Sequence, residues 1–217
     1  HSNDGAVLKQ VHDAGLPLVL LDRQVDDFET DTVKVDNVRG AALAVKHLLK
    51  LGYRRIAFIA GLQYLTPGRE RSLGYREALY AAGHPIDESL IVLGDFKTES
   101  GYRLARALMA LPQPPDSIFT ANSLMAMGAL KGLHDLGLRV PEDVALISFD
   151  DVPWAENLCP PLTAVNQPGY ELGQQAVDLL LHRLTNGAGH YRTVVLQPRL
   201  VIRESCGARL RGATPNG

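Results

Sequence analysis

The chain has 217 residues, 46% of them hydrophobic, with a formal net charge of −2 and a pI of about 6.4. That length suffices for one large domain or two smaller lobes around a sizeable core. The near-neutral balance argues against a basic surface that grips nucleic acid within this chain. No apolar run approaches the roughly 18–20 residues of a membrane-spanning helix. The opening residues, His-Ser-Asn-Asp-Gly, do not read as a secretory signal. Cys159 and Cys206 lack CxxC or Cys/His metal spacing, so the expectation is free thiols in a reducing compartment and no metal or cofactor.

Residues 6–14 have apolar positions at helical spacing, with Asp4 as a candidate N-cap and Gly15 as a C-cap. A buried strand over 17–21 ends in Asp22-Arg23. A polar, acidic loop covers 24–30, and a short alternating strand 32–35. Residues 37–51 place Ala41, Ala44, Val45, Leu48 and Leu49 on one helical face, stopped by Gly52. A strand over 55–60 is followed by a loop, 61–68, and a helix, 69–82, closed by Gly83. Next come a strand at 90–93 and a helix at 100–111, ended by Pro112, Pro114 and Pro115. A strand at 117–121 leads to a helix at 124–136. After the loop 152–159, the segment 160–165 holds a candidate cis proline. A last helix spans 170–185, and strands 193–196 and 200–203 read as a hairpin. Residues 207–217, rich in Gly, Pro and Arg, are expected to be a disordered tail. Strand and helix alternate in a way that predicts an α/β fold with a doubly wound parallel sheet.

The stretch 140–151, Val-Pro-Glu-Asp-Val-Ala-Leu-Ile-Ser-Phe-Asp-Asp, organises the reading. Its apolar run shows no alternation, as in a strand covered on both faces. It ends abruptly in Asp150 and Asp151, and ligands of open α/β sheets bind outside the carboxyl ends of the strands. Catalytic patterns are missing: no Gly-x-Ser-x-Gly elbow, no phosphate loop and no Gly-x-Gly-x-x-Gly after a strand. Adjacent carboxylates on an extended chain point to opposite faces, so Asp150 and Asp151 are not expected to form an acid–base pair. Asp150 is expected to face a cleft and Asp151 to hold the loop through Trp154.

Polar groups follow other strands too: Asp22-Arg23, Asp95-Phe96 and Asn122-Ser123, with Arg71 early in a helix. In a parallel sheet these converge on one edge. Acceptors, a guanidinium, an amide and an aromatic face together suit a polyhydroxylated ligand. Blander roles stand beside this one: Asp150 bonding turn amides, Asn122 only a cap, Phe96 in the core, Arg71 solvated. A cation near a helix N-terminus is mildly unfavourable, which favours a specific use for Arg71.

The chain resembles the effector-binding domain of the lac-repressor-type (LacI/GalR) bacterial transcription regulators. The resemblance runs from about Gly15 to Ser205. It rests on Gly-Leu-Pro-Leu-Val-Leu-Leu-Asp-Arg at 15–23, Val-Asp-Asn at 35–37, His-Leu-Leu-Lys-Leu-Gly-Tyr-Arg-Arg-Ile-Ala at 47–57 and Arg-Glu-Arg-Ser-Leu-Gly-Tyr-Arg-Glu-Ala-Leu at 69–79. Gly-Asp-Phe at 94–96, the 122–130 segment, the 140–151 stretch, Pro-Pro-Leu-Thr at 160–163 and Val-Ile-Arg-Glu-Ser at 201–205 continue it in order.

The resemblance implies parallel sheets in two lobes of type I periplasmic-binding-protein fold. Residues 1–36 and 168–190 map to an incomplete N-terminal lobe; residues 37–165 and 191–206 map to a C-terminal lobe. It implies effector contacts by Asp22, Arg71, Asn122, Asp150 and Gln167, and stacking by Phe96. The implied protein is a cytoplasmic, non-enzymatic sensor of a sugar-like or nucleobase-like effector. It would dimerise through the C-terminal lobe, with Met127 at the interface. It would reach operator DNA only through a helix-turn-helix module that this chain does not carry. Ser123 departs from the aspartate usual in the family, but it remains a good capping residue. Missing neighbours for the first strand imply a loosened N-terminal lobe and weak effector binding. The alternative is a sugar-binding protein of an uptake system, which shares the fold; an enzyme on the same scaffold is the third reading.

Overall fold

A computed structural model describes residues 3–186 and 189–212 as α/β, with two sheets. The larger is built from β3 (Ile56–Ala60), β4 (Ile91–Leu93), β5 (Ser117–Thr120), β6 (Ala145–Phe149), β7 (Thr163–Asn166) and β9 (Arg199–Val201). Its order is β4-β3-β5-β6-β7-β9, parallel except for β9 against β7. Every residue of β3, β5 and β6 is buried, which is why their sequences show no alternation. The helices α2 (Asn37–Lys50), α3 (Thr66–Ala81), α4 (Thr98–Met109) and α5 (Ser123–His134) cover this sheet, α2 packed with α3 and α4 with α5.

The α4–α5 approach depends on glycine. A Cβ on Gly128 would lie 1.9 Å from the Thr98 carbonyl oxygen, and one on Gly101 would lie 2.1 Å from that of Met125. The Phe58 ring stacks with those of both Tyr75 and Phe119, with centroids 5.0 Å apart in each case. The Tyr75 hydroxyl donates to the Ile56 carbonyl, which satisfies its polar tip.

The smaller sheet holds β1 (Val19–Leu21), β2 (Asp31–Val35) and β8 (Thr193–Leu196), all parallel, in the order β1-β2-β8. Helices α1 (Asn3–Asp13) and α6 (Gly169–Asn186) belong to this part of the chain. Leu172 and Leu179 of α6 pack on Val33, with Val19, Ala176 and Val194 around them. The other face of α6 carries Val177, Leu181 and Leu184, apolar at helical spacing and exposed.

Several expectations need correction. β8 and β9 do not form a hairpin, and residues 193–196 join the smaller sheet, not the larger lobe. Gln197-Pro198 between them offers no residue suited to the positive φ that tight hairpin turns require, so the chain runs on from one sheet to the other. α3 begins at Thr66, inside the expected loop, because Pro67 is well tolerated in a first helical turn. Asp4 lies within α1 and does not precede it. Residues 207–212 are not a free tail: Ala208 is buried, and the Arg211 guanidinium lies 3.9 Å above the Tyr53 ring and donates to the Leu51 carbonyl. The remainder of the expected tail, 213–217, falls outside the described residues. Cys159–Pro160 is cis, as is Val140–Pro141. Among the described residues, no helix is long and apolar enough to cross a membrane.

One ion pair ties the smaller sheet to α6. Asp31 is fully buried, and its carboxylate accepts from the Arg183 guanidinium and, at 2.7 Å, from the Arg192 amide. Burial alone would raise the carboxyl pKa; Arg183 and the amide more than offset it and hold it below the ordinary range. Removing one partner strands a buried charge. Asp31→Ala is therefore expected to cost about 3 kcal/mol, read as a lowered urea midpoint.

Candidate functional site

Asp22 follows β1, Phe96 follows β4 and Asp150 follows β6. Each adopts a left-handed backbone, with φ of 71°, 67° and 70°. Among the described residues only one other non-glycine residue, Asp27, does so. A non-glycine residue pays for that conformation, and such strain gathers at functional sites. At Asp22 the conformation lets the amide donate to the Val33 carbonyl at 2.8 Å while the side chain turns toward the junction of the two sheets.

Arg71 projects from α3 and is 3% exposed. Its Nε donates to Asn37 Oδ1 at 2.8 Å and its Nη1 to the Ala121 carbonyl at 2.6 Å. Its guanidinium stacks 3.7 Å from the centroid of Phe149, the last residue of β6. Nη1 also lies 3.6 Å from Asp150 Oδ2. Burial pulls the Arg71 pKa down, and the negative charges of Asp150 and Asp22 push back. Asp150 Oδ1 accepts from Gln167 Nε2.

Asp22 Oδ1 is buried with no hydrogen-bond partner among the described residues. Burial pushes its carboxyl pKa up; Arg71 opposes this and Asp150 adds to it. Asp22, Asp150, Asp151 and Gln167 line a cavity of about 350 Å³, with Leu21 and Leu172 as its apolar wall. The structure thus brings Asp22, Arg71, Asp150 and Gln167 into one network.

Asn122 and Phe96 form a neighbouring pair outside that cavity. Asn122 is the N-cap of α5: its Oδ1 accepts from the Met125 amide at 3.0 Å, and its Nδ2 donates to the Phe96 carbonyl at 2.9 Å. The cap is Asn122 itself, so Ser123 begins the helix. The Phe96 ring covers Gly61, where a Cβ would lie 1.9 Å from its Cζ. Asn122 thus serves as a cap, Phe96 packs on Gly61, and Asn122 also locks the strand-end loop that holds Phe96.

Asp151 does not use Trp154. It receives a two-pronged contact from Arg203, at 2.7 and 3.0 Å. Sequence reasoning missed Arg203, and it missed Asn37 and Phe149, which hold Arg71. The only sequence signals were the Asn that closes Val-Asp-Asn and the aromatic before Asp150. Met127 lies elsewhere. With Leu130 it borders a cleft of about 720 Å³ that Pro141, Pro160 and Pro161 also line. Leu133 of the same helix is buried.

The raised Asp22 pKa has a definite sign. Folding disfavours the charged form relative to the unfolded chain, so the group's contribution is fully present below the ordinary carboxylate pKa and is lost as pH rises through the folded value. Asp22→Asn is expected to unfold at higher urea than the parent at pH 7. That advantage should vanish at pH 3; an advantage that persists there would contradict the assignment.

The periplasmic binding protein-like domain pattern matches residues 45–206. The curated HTH-type transcriptional regulator CelR of Thermobifida fusca is 40% identical, over 93% of this chain and 63% of its own length. A solved CelR–cellobiose complex superimposes with a TM-score of 0.88 at 40% identity, covering 93% of this chain and 62% of that one. The crystal structure of a LacI-family regulatory protein from Chloroflexus aggregans gives 0.84 at 33% identity, with 91% and 71% covered. The chain thus spans less than two thirds of the length of CelR. With three quarters of its residues inside the domain pattern and the regulators matched along nearly all of it, the chain belongs to the periplasmic binding protein-like domain family and, within it, to the LacI-type regulators.

Proposed function

We propose that this chain is the effector-sensing part of a cytoplasmic, LacI-type transcriptional regulator that takes a small, uncharged, sugar-like or nucleobase-like molecule between its two sheets. The observation that carries this reading is the buried Asp22 Oδ1, unpartnered among the described residues, in a cavity with Asp150, where Arg71 beside Asp150 and Arg203 beside Asp151 are committed to protein groups. Such a site offers acceptors and asks the ligand for donors. O–H groups of a sugar or N–H groups of a base supply them; a phosphate or carboxylate on the ligand would meet two like charges.

Asp22, Asp150 and Gln167 are the direct contacts in this reading, and Arg71 fixes the carboxylates. Asn122 and Phe96 border the site through their shared loop, with the Phe96 ring available for stacking. Binding shifts the balance between lobe arrangements by its differential affinity for them. A homodimer joined through the α5 side of the larger lobe would pass this to operator DNA through a module outside this chain. The reported relatives are regulators, which favours sensing over sugar uptake or catalysis. The CelR complex holds cellobiose, so cellobiose leads the list of probes.

A thermal-shift series with cellobiose, other neutral sugars and nucleobases tests this. At a hundred times its Kd, one ligand is expected to stabilise the chain by about 2.7 kcal/mol. Asp150→Asn should abolish that response while remaining folded. A panel that leaves the parent unmoved would refute the reading. For the dimer, Met127→Glu in the 720 Å³ cleft is expected to convert the sedimenting species to monomer, because a buried carboxylate without a partner is costly; an unchanged dimer would exclude this surface.

A further inference from the structure

The Asp22–Arg71–Asp150 network is not isolated. A second set of polar side chains runs from it to the seam between the two sheets, and the proposed site does not use them. Lys34 of β2 donates to Glu70 of α3 at 2.6 Å and to Gln24 Oε1 at 3.1 Å. The Lys34 and Glu70 side chains are 14% and 23% exposed, so this is no ordinary surface pair. The second Glu70 oxygen accepts from Asn37 Nδ2 at 3.0 Å, and Asn37 Oδ1 accepts from Arg71 Nε at 2.8 Å.

Asn37 is fully buried, and its amide has one allowed orientation. Its NH2 must face the carboxylate and its oxygen the guanidinium; the flipped amide would set donors against donors. Glu70 and Arg71 are consecutive on α3 and point in different directions, so the Asn37 amide is what joins them.

The same helix is stitched to the smaller sheet's loop twice more. Thr66 Oγ1 receives the Gln24 amide and donates to the Gln24 carbonyl, at 3.2 and 3.0 Å, and Arg69 pairs with Asp26 at 2.9 Å. Thr66, Arg69 and Glu70 are spaced i, i+3, i+4, one face of α3. Gln24 lies two residues beyond Asp22. The path therefore leaves the pocket along the chain at Asp22, crosses the seam through Gln24, Lys34 and Glu70, and returns to the pocket through Asn37 and Arg71.

We propose that Lys34, Glu70 and Asn37 are positioning residues that tie the Arg71 guanidinium to the relative placement of the two sheets. A change at the seam then reaches Arg71, and a ligand that moves Arg71 acts on the seam. This deepens the effector-site reading and rests on it for its use, but the coupling itself is a property of the ligand-free chain. That is how it is tested.

In the isotope-labelled, ligand-free 217-residue chain, solvent exchange of the Arg71 Nε–H is followed by NMR. Lys34→Met and the near-isosteric Glu70→Gln are each expected to speed that exchange by about tenfold or more, the scale of losing a hydrogen bond to a charged group. Lys34→Arg should restore it. Arg76→Met, on the same helix as Glu70 and Arg71, breaks a surface pair with Glu88 beyond that helix and should leave it unchanged. Urea midpoints for every variant provide a readout of stability alone. If exchange at Arg71 matches the parent in both Lys34→Met and Glu70→Gln, or follows only the loss of global stability, the relay is refuted. Absence of effector binding would count against the pocket reading and would leave this result standing.

Discussion

A guanidinium without water is the constraint on which the site depends. Moving such a charge out of solvent costs several kcal/mol unless geometry returns it. Arg71 is recompensed by an amide oxygen, a backbone carbonyl, the face of Phe149 and the field of two aspartates. These partners come from four parts of the chain: Asn37 starts α2, Ala121 directly follows β5, Phe149 ends β6 with Asp150 just after it, and Asp22 directly follows β1. The arrangement forms only when both sheets and α3 are in place. Arg71 is thus a check on assembly as well as a member of the site.

The two carboxylates follow from that cation. Asp150 is held by Gln167 and lies near Arg71, while Asp22 keeps one oxygen buried and unpaired. A buried acceptor left unmatched is a standing cost, and it is the kind of cost a ligand removes. The strained backbones at Asp22, Phe96 and Asp150 belong to the same design, since a left-handed residue at a strand end turns its side chain out of the sheet's alternation. Asp151, next along the chain, is spent on Arg203 and so adds a neutralised wall to the cavity, not a third free charge.

The two sheets divide the labour unevenly. The larger has a continuous core with helices packed backbone to backbone. The smaller has a few apolar contacts and relies on the Asp31–Arg183 pair to hold α6. Polar contacts carry the seam between them, from Thr66 to Glu70, and polar contacts rearrange at lower cost than a packed core. That contrast suits a molecule whose proposed work is a change in the relation of its lobes.

Much of this was legible in the residues. The buried strands were marked by unbroken apolar runs, the helices by 3.6-residue spacing and closing glycines, and the strand-end carboxylates by their abrupt polarity, because these are properties of neighbours along the chain. The ordered motifs identified the family, and the candidate residues Asp22, Arg71, Asp150 and Gln167 do meet. Tertiary structure decided the rest. It set β8 beside β2, since strand partners are chosen by what lies across the sheet and not by sequence proximity. It gave Asp151 to Arg203, fifty-two residues away, and it spent Asn122 on a helix cap and a loop. It also brought Lys34, Asn37 and Glu70 to Arg71, because a charge declares its partners only once folding has removed the water around it.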